Sequence, residues 1–323
     1  ARIFQVAESQ ARKGFVWIKE ILWATFEHIE KLQESESGIT GVPSGFPDLD
    51  RMTTGLQKGD LCIVAARPSM GKTSWVMNVA ANAAITHKIP VAIFSLEMAS
   101  EQLVQRLLCA EGRIDAQRLR RGKLSPEEHQ RLAAAAGHLN TAPIWIDDQP
   151  GCNVLEIRAK SRRLQSELRL DGKELGMVVI DYMQLMSGTA NSESRVQEVS
   201  LISRGLKSLA RELNVPVVAL SQLSRGPEQR TDKRPMLSDL RDSGSIEQDA
   251  DLVMFLFRPE YYAPAEKRDE LEGKAELIIS KQRNGPTGVI ELFFQKAYTR
   301  FDSVTRSSQG GPDSGNEGPS FGP

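Results

Sequence analysis

The chain has 323 residues, of which 40% are hydrophobic and 26% are charged, and its formal net charge is −1. This is ordinary globular composition, enough for one large core with appendages or for two small domains. It excludes a protein that coats nucleic acid through a broad basic face, although a few loops could still grip a strand. The sequence contains no run of 18 apolar residues, so no membrane span is expected.

The first helical pattern covers residues 15–33. Its apolar positions recur every three or four residues and form a stripe of Trp17, Ile18, Ile21, Leu22, Trp23, Phe26, Ile29 and Leu32. Residues 34–38, Glu-Ser-Glu-Ser-Gly, are typical of a flexible hinge. We assign residues 1–38 to a linker region. Its helix must bury the stripe either on its own domain or on a neighbouring subunit.

From residue 39 onward, short apolar runs alternate with helical segments. The predicted strands are Leu61–Ala66, Val91–Leu96, Ile144–Asp147, Met177–Ile180, Val215–Ser221 and Leu252–Phe257. The predicted helices cover residues 72–87, 100–112, 125–139, 153–168 and 193–213. Fully apolar strands that alternate with helices indicate an α/β fold with a mostly parallel central sheet covered by helices on both faces.

The pattern changes again after residue 258. Ala275–Lys281 and Val289–Lys296 flank the turn-forming residues 284–288, which predicts an antiparallel hairpin at the edge of the sheet. The Ser-, Gly- and Pro-rich residues 305–323 predict a disordered tail. We therefore expect one domain over residues 39–304.

The three cysteines, Cys62, Cys109 and Cys152, are widely spaced along the chain. No Cys-x-x-Cys pair or Cys/His ligand spacing accompanies them, which argues against a zinc site. We expect reduced thiols, as in a cytosolic protein.

The segment 66–73, Ala-Arg-Pro-Ser-Met-Gly-Lys-Thr, lies between the first strand and a helix. It matches the phosphate-binding pattern G-x-x-x-x-G-K-[ST], with Ala66 in place of the first glycine. Gly71 would let backbone N–H groups face a phosphate, Lys72 would reach the β- and γ-phosphates, and Thr73 would bind magnesium. The residues predicted to hold ATP and Mg²⁺ here are Ser69, Met70, Gly71, Lys72, Thr73 and Ser74.

Polar residues follow three of the other strands. Asp181 ends the strand Met177–Ile180 in the Walker B pattern and would be a second magnesium anchor, unless it only caps the strand. Glu97 could act as a general base for water or be a surface glutamate before a helix. Gln222 could sense the γ-phosphate or simply end its strand.

A long charged loop covers residues 223–235, and residues 240–245 continue it. Its arginines, with Gly and Ser N–H groups, suit a phosphodiester backbone, but a solvated loop fits the composition as well. Lys281 and Arg283 precede the hairpin turn. Two interpretations are open for these cations. They lie on a solvated sheet edge, which the composition favours, or they reach a nucleotide held by the next subunit and act as an arginine finger in trans.

Together these motifs resemble those of the DnaB-type replicative helicases of bacteria, over residues 15–302. The segments that carry the resemblance are residues 65–73, 94–98, 180–185, 219–225, 243–251 and 281–286. The resemblance implies a RecA-like P-loop ATPase that works as a homohexameric ring, with ATP between neighbours and single-stranded DNA in the centre, moving 5′ to 3′. It also implies a cytoplasmic location at the bacterial replication fork, with a helicase loader and other replisome proteins as partners.

The same resemblance assigns roles to individual residues. Glu97 would be the catalytic base, Gln222 the sensor, and Lys281 with Arg283 the trans finger. Arg225 belongs to a matching segment, and the residues implied to touch the DNA backbone are Arg241, Asp242 and Gly244. The helix over residues 15–33 matches the family's linker helix, which docks on the adjacent subunit.

One family feature has no counterpart in this sequence, namely the N-terminal helical domain that engages primase. Primase contact is therefore in doubt for this chain. A RadA-type recombination ATPase would carry a four-cysteine zinc module and a Lys-Asn-Arg-Phe-Gly motif, whereas residues 281–285 read Lys-Gln-Arg-Asn-Gly. A nucleotide-gated assembly scaffold is the other alternative, and Glu97 counts against it.

Overall fold

The structure is a computed structural model that describes residues 15–34, 38–187 and 195–304. Within these ranges, the side chains of residues 24, 28, 29, 31–34 and 241–244 are not described. Most of the predicted hinge and all of the predicted tail at 305–323 lie outside the described residues.

One mixed sheet organises the described part of the chain. Its strands are β1 Leu61–Ala66, β2 Val91–Ser95, β3 Ile144–Asp147, β4 Met177–Asp181, β5 Val217–Gln222, β6 Leu252–Phe257, β7 Lys274–Gln282, β8 Gly288–Gln295 and β9 Arg300–Ser303. Their order is β3-β2-β4-β5-β1-β6-β7-β8-β9. The first six strands in this order are parallel, whereas β7, β8 and β9 pair antiparallel.

Helices connect the parallel strands. They are α1 Ile18–Glu34, α2 Pro47–Thr53, α3 Lys72–Ala81, α4 Ser100–Gly112, α5 Ala116–Arg120, α6 Pro126–Asn140, α7 Val154–Leu170, α8 Arg195–Leu213, α9 Gly226–Gln229, α10 Gly244–Asp249 and α11 Ala265–Arg268. A π-helical turn, Asn82–Thr86, continues α3. Short 3₁₀ turns occur at Met183–Leu185, Leu237–Ser243, Pro259–Tyr261 and Asp269–Leu271.

The hydrophobic core has two halves, one on each face of the sheet. Successive β1 residues alternate between them, with Cys62, Val64 and Ala66 on one side. Leu61, Ile63 and Ala65 lie on the other. Every residue of β1, β2, β4 and β6 is buried, because helices cover both faces. The predicted α/β fold with a mostly parallel sheet and an antiparallel edge is confirmed.

Two details differ from the sequence prediction. The predicted hairpin forms as β7 and β8, but β9 pairs beyond β8, so the hairpin itself is not the outermost part of the sheet. Strand β5 begins at Val217 and not at Val215, since Pro216 has no N–H to donate to a neighbouring strand.

Helix α1 forms where the amphipathic pattern predicts it. Its apolar stripe is uncovered by the described part of the chain, since Trp17, Ile18 and Trp23 are 64%, 71% and 73% exposed. Two predicted stripe positions, Ile29 and Leu32, have no described side chain. None of the helices in the described ranges is both long and apolar enough to cross a bilayer.

Candidate nucleotide site

The phosphate-binding loop joins the carboxyl end of β1 to α3. Gly71 has φ +96° and precedes the helix, and a Cβ at this position would lie 3.0 Å from the Phe301 ring. Only glycine therefore fits the turn without strain or a clash. No side chain caps α3, which leaves the N–H groups of its first turn available to an anion. Met70 is buried in the core, so its backbone is the part left to face a ligand.

Thr73 and Asp181 meet at the base of the loop. The Thr73 hydroxyl donates a 2.7 Å hydrogen bond to Asp181 Oδ2. Asp181 is 2% exposed, and its Oδ1 has no hydrogen-bond partner among the described residues. Burial raises the pKa of this carboxyl, with a smaller contribution from Glu97, while the Thr73 hydroxyl acts in the opposite direction. A hydroxyl beside an unsatisfied carboxylate oxygen offers the hard oxygen donors that Mg²⁺ prefers.

Lys72 begins α3 and lies in the same crevice. Its ammonium donates to Ala66 O at 3.1 Å and lies 5.9 Å from the centre of the Tyr182 ring. Burial lowers the pKa of Lys72 to about 8, although the charges of Asp181 and Glu97 act to raise it. An anion bound here would favour the charged ammonium.

Four adjacent strands deliver the predicted catalytic residues to one edge of the sheet. In the order β2-β4-β5-β1, Ser95 pairs with Asp181 and Ala66 pairs with Gln222. Glu97 lies two residues beyond Ser95, is exposed, and is close enough to contribute to the raised pKa of Asp181. Gln222 is exposed at the end of β5, between the phosphate loop and Asp181. The structure thus brings these residues together at the carboxyl ends of the strands, where open α/β sheets bind ligands.

Arg106, on α4, also faces this crevice, and the sequence analysis missed it. It is partly buried and makes no hydrogen bond or ion pair within the described ranges. Burial lowers the pKa of Arg106, while the charges of Asp181 and Glu97 act to raise it. The motifs contain no signal for Arg106, because only the tertiary packing of α4, which lies against α3, brings it to the two carboxylates.

Three further polar side chains, equally missed, hold the loop ends in place. Arg258 is 8% exposed, donates to Ser69 O at 3.2 Å, and stacks 4.2 Å from the Phe294 ring centre. Arg67 crosses from the phosphate loop to the loop after β5. Gln184 donates to Ser221 Oγ at 2.8 Å and accepts from Gln222 N at 3.1 Å, which fixes the end of β5.

The charged loop after β5 is folded by its own ion pairs. Arg230 binds both carboxylate oxygens of the buried Asp239, at 2.8 and 2.6 Å, and Arg234 binds Glu276 at 2.6 Å. Arg225 is exposed and borders a cleft that Gln222 also lines. For Arg241, Asp242 and Gly244 the backbone runs through the 3₁₀ turn Leu237–Ser243 into α10, and their side chains lie outside the described part.

Lys281 and Arg283 lie at the opposite end of the sheet. Lys281 pairs with Val253 near the start of β6, and the two cations donate to backbone carbonyls at the end of α10, including Ala250 O at 2.7 Å and Gln248 O at 2.9 Å. Strand β7 lies between β6 and β8, so Lys281 is not on the outermost strand of the sheet. Strand β1 separates this end from the phosphate loop by roughly 17 Å at about 3.3 Å per residue.

A strand–loop–helix phosphate site at the carboxyl edge of a mostly parallel sheet defines a P-loop nucleotide-binding protein. Comparison with known proteins shows which family of P-loop proteins the chain belongs to. The profile of the family "DnaB-like helicase C terminal domain" matches residues 41–303. The chain therefore belongs to the DnaB-like helicase C-terminal domain family.

Individual relatives agree with this assignment. The chain is 55% identical over 306 residues to "Replicative DNA helicase DnaB" of Geobacillus stearothermophilus, covering 94% of this chain and 66% of the relative. It is 54% identical to "Replicative DNA helicase DnaC" of Bacillus subtilis (strain 168), covering 94% and 65%. The chain thus spans about two thirds of the length of these relatives.

Solved structures show the same fold. A structure described as an ATPase domain superposes with a TM-score of 0.84 at 42% identity and covers 90% of this chain and 100% of that one. A structure described as that of a DnaB-like replicative helicase and its interactions with primase superposes with a TM-score of 0.81 at 41% identity, covering 94% and 70%. These likenesses confirm the RecA-like fold expected from the sequence resemblance.

Proposed function

We propose that this chain is the motor domain of a replicative DNA helicase. It hydrolyses ATP with Mg²⁺ and moves 5′ to 3′ along single-stranded DNA, as a hexameric ring, at the replication fork in the bacterial cytoplasm. The observation that carries the proposal is the delivery of the phosphate loop, Asp181, Glu97 and Gln222 to one crevice by four adjacent strands. Relatives named replicative DNA helicase are 55% and 54% identical to this chain over 94% of its length.

The phosphate loop binds the triphosphate. Its backbone from Ser69 to Ser74 surrounds the phosphates, with the uncapped N–H groups of the first turn of α3 facing them, and Lys72 pairs with the β- and γ-phosphates. Thr73 Oγ1 and the unpaired Asp181 Oδ1 would hold Mg²⁺. When bound, the ion neutralises negative charge on the phosphates.

Hydrolysis needs an oriented water molecule. Glu97 lies at the mouth of the crevice and accepts a proton from that water as general base. Gln222 senses the γ-phosphate and is tied by Gln184 to the neighbouring strand end. Arg106 adds a cation on the side of the two carboxylates, where it stabilises charge that develops on the transferred phosphoryl group.

A neighbouring copy completes the site. Lys281 and Arg283 lie roughly 17 Å along the sheet from their own phosphate loop, too far to touch a nucleotide held there. In a ring this end of one copy faces the crevice of the next, where the two cations act as a finger in trans. Helix α1 docks its uncovered stripe on the same neighbour.

The DNA strand is held through its backbone. Arg225 on the loop after β5, together with Arg241, Asp242 and Gly244 in the following segment, forms the pore contacts. Such contacts hold phosphates without reading bases, so binding has weak sequence preference and strong salt dependence. A net charge of −1 is compatible with this, because only pore loops touch DNA. Helicase loader and other replisome proteins are the expected partners.

A Glu97→Gln variant tests the motor role. We expect it to bind ATP with unchanged affinity, because the phosphate loop is intact, but to lose hydrolysis and strand separation by on the order of 100-fold or more. Binding is measured with a fluorescent nucleotide, and hydrolysis and unwinding are measured together on a forked duplex. A Glu101→Gln variant, altered at an exposed glutamate on α4, is the matched control.

Retained hydrolysis and unwinding in the Glu97→Gln chain would contradict Glu97 as the general base. A wild-type chain that binds ATP but neither hydrolyses it nor unwinds the fork would favour a nucleotide-gated assembly scaffold. ATP hydrolysis by the wild-type chain without any unwinding would favour a recombination ATPase.

A further inference from the structure

Arg67 is the second residue of the phosphate loop, yet its side chain leaves that loop. Its Nε donates to Glu228 Oε1 at 2.8 Å, and Nη2 lies 2.7 Å from the same oxygen. Its Nη1 donates to Leu223 O at 2.8 Å. The side chain is only 14% exposed, so these charge-assisted contacts are partly shielded from water.

The two partners of Arg67 bracket the segment 223–228. Leu223 directly follows Gln222, and its N–H donates to Ala66 O at 3.1 Å. Glu228 lies in α9, and its backbone carbonyl accepts from Lys233. Between them is Arg225, the exposed cation proposed to touch the DNA backbone. One guanidinium therefore fixes both ends of a short segment that carries a DNA contact.

Arg67 is also close to the phosphate site. Its charge is one of the causes that lower the pKa of Lys72, the residue proposed to pair with the β- and γ-phosphates. A shift of the loop backbone at Arg67 on nucleotide binding would be passed through these contacts to Leu223 O and Glu228.

We propose that Arg67 is a positioning residue that couples nucleotide binding to DNA binding, through its contacts with Glu228 and Leu223 O. The inference rests on the proposed function, because it requires that Arg225, which lies between these two contacts, meets DNA. Coupling of this kind is reciprocal, so nucleotide must tighten DNA binding by the same factor by which DNA tightens nucleotide binding.

The test measures the factor by which nucleotide tightens DNA binding, and it uses the whole chain. The affinity for fluorescein-labelled oligo(dT) is determined by anisotropy, with and without a non-hydrolysable ATP analogue and Mg²⁺. We expect the analogue to tighten DNA binding of the wild type by about tenfold. In Glu228→Ala, which removes the acceptor of two Arg67 contacts, we expect the factor to fall by roughly threefold or more, with DNA affinity in the absence of nucleotide nearly unchanged. Glu228→Gln keeps an acceptor without the charge and should give an intermediate factor.

Glu276→Ala is the matched control. It removes the ion pair with Arg234 on the same loop but leaves Arg67 untouched, so its factor should equal that of the wild type. Three results would each overturn the inference. The analogue could tighten DNA binding of Glu228→Ala as much as that of the wild type, the tightening could be reduced equally in both variants, or the analogue could leave DNA binding of the wild type unchanged. Failure of the wild type to bind oligo(dT) at all, with or without nucleotide, would instead refute the proposed function, and the inference with it.

Discussion

At the residue scale, the polar groups of the crevice are arranged for a ligand and not for stability. The Asp181 carboxyl is buried with one oxygen unpaired, and Lys72 is buried enough to lower its pKa to about 8. Arg106 has no partner side chain within the described ranges. Each of these groups costs folding free energy when the site is empty, and each gains a partner when a magnesium–triphosphate complex binds.

A second charged cluster lies at the far end of the sheet and is structural. The Lys207 ammonium binds Asp251 and lies 3.6 Å from Asp60. Asp251 Oδ2 also accepts from Leu61 N at 2.9 Å. Burial raises the pKa of Asp60, and the charge of Asp251 raises it further, against the opposing effect of Lys207. Lys207 thus contacts two carboxylates, and Arg283 Nη1 lies 3.5 Å from the other oxygen of Asp251.

This cluster predicts a pH-dependent gain in stability for Asp60→Asn. Because the pKa of Asp60 is raised on folding, its carboxylate destabilises the fold above that pKa, and the cost disappears as the pH falls and the group takes up a proton. We expect the variant to be more stable than the wild type at pH 7, by up to about 1 kcal/mol, and the difference to vanish towards about pH 4. Urea unfolding at a series of pH values measures it.

Asp48→Asn, which alters an exposed pair with Arg51, should not show this trend and is the control for net charge. A variant of Asp60 that is less stable than the wild type at pH 7 would show that the pairing with Lys207 outweighs burial and the charge of Asp251.

At the element scale, the sequence predicts what depends on local pattern. The buried strands β1, β2, β4, β5 and β6 were predicted from apolar runs in the sequence. The phosphate loop was predicted from the Gly-Lys-Thr residues at its end. Strand β9 was missed because its four residues, Arg-Phe-Asp-Ser, carry only one apolar position. It pairs because β8 already supplies an open edge.

The contacts that hold the candidate site together were beyond local pattern. Arg67 meets Leu223 across 156 positions of sequence, and Arg258 meets Ser69 across 189. Such pairs depend on the strand order, which places β1 between β5 and β6. The sequence predicts that the carboxyl ends of the parallel strands lie together. It does not predict which residues Arg67 and Arg258 contact.

Helix α1 gives a prediction about assembly. Trp23 and Phe26 are 73% and 53% exposed, so the double substitution Trp23→Ala and Phe26→Ala removes no contact that buries either ring within the described chain. We expect the ring to dissociate and ATP hydrolysis to fall by about tenfold or more, because large aromatic anchors dominate interfaces. Light scattering after gel filtration measures the mass, and the thermal midpoint should stay unchanged.

Glu27→Ala, also on α1 and exposed, is the control and should assemble as the wild type does. A lower thermal midpoint without a change in mass would place the stripe against its own domain, as the alternative interpretation of the sequence has it.

At the scale of the whole molecule, the chain presents two unlike ends of one sheet. The phosphate loop, Asp181 and Gln222 lie at the carboxyl ends of the parallel strands, and Lys281 and Arg283 lie at the other. Contact between unlike patches is heterologous and closes into a ring when the rotation between copies allows. The proposed ring uses this geometry to build each site from two copies.

Mixing two inactive variants tests the shared site. Lys72→Ala lacks the phosphate contact and Arg283→Ala lacks the finger, so each alone should lose ATP hydrolysis by on the order of 1000-fold. In mixed rings, an intact phosphate loop of one copy meets an intact finger of the next, and we expect hydrolysis to return to a substantial fraction of the wild-type rate. If mixtures at every ratio stay as inactive as their components, Arg283 does not act in trans.

Directional strand separation is the most direct test of the central claim, that this chain is the motor of a 5′ to 3′ helicase. Two duplexes are compared with ATP and Mg²⁺, one with only a 5′ single-stranded tail for loading and one with only a 3′ tail, each with the opposite strand end fully paired or blocked. The account predicts that opening depends on the 5′ tail. Opening from the 3′ tail alone would contradict the proposed direction, and hydrolysis of ATP without opening of either duplex would contradict the helicase function itself.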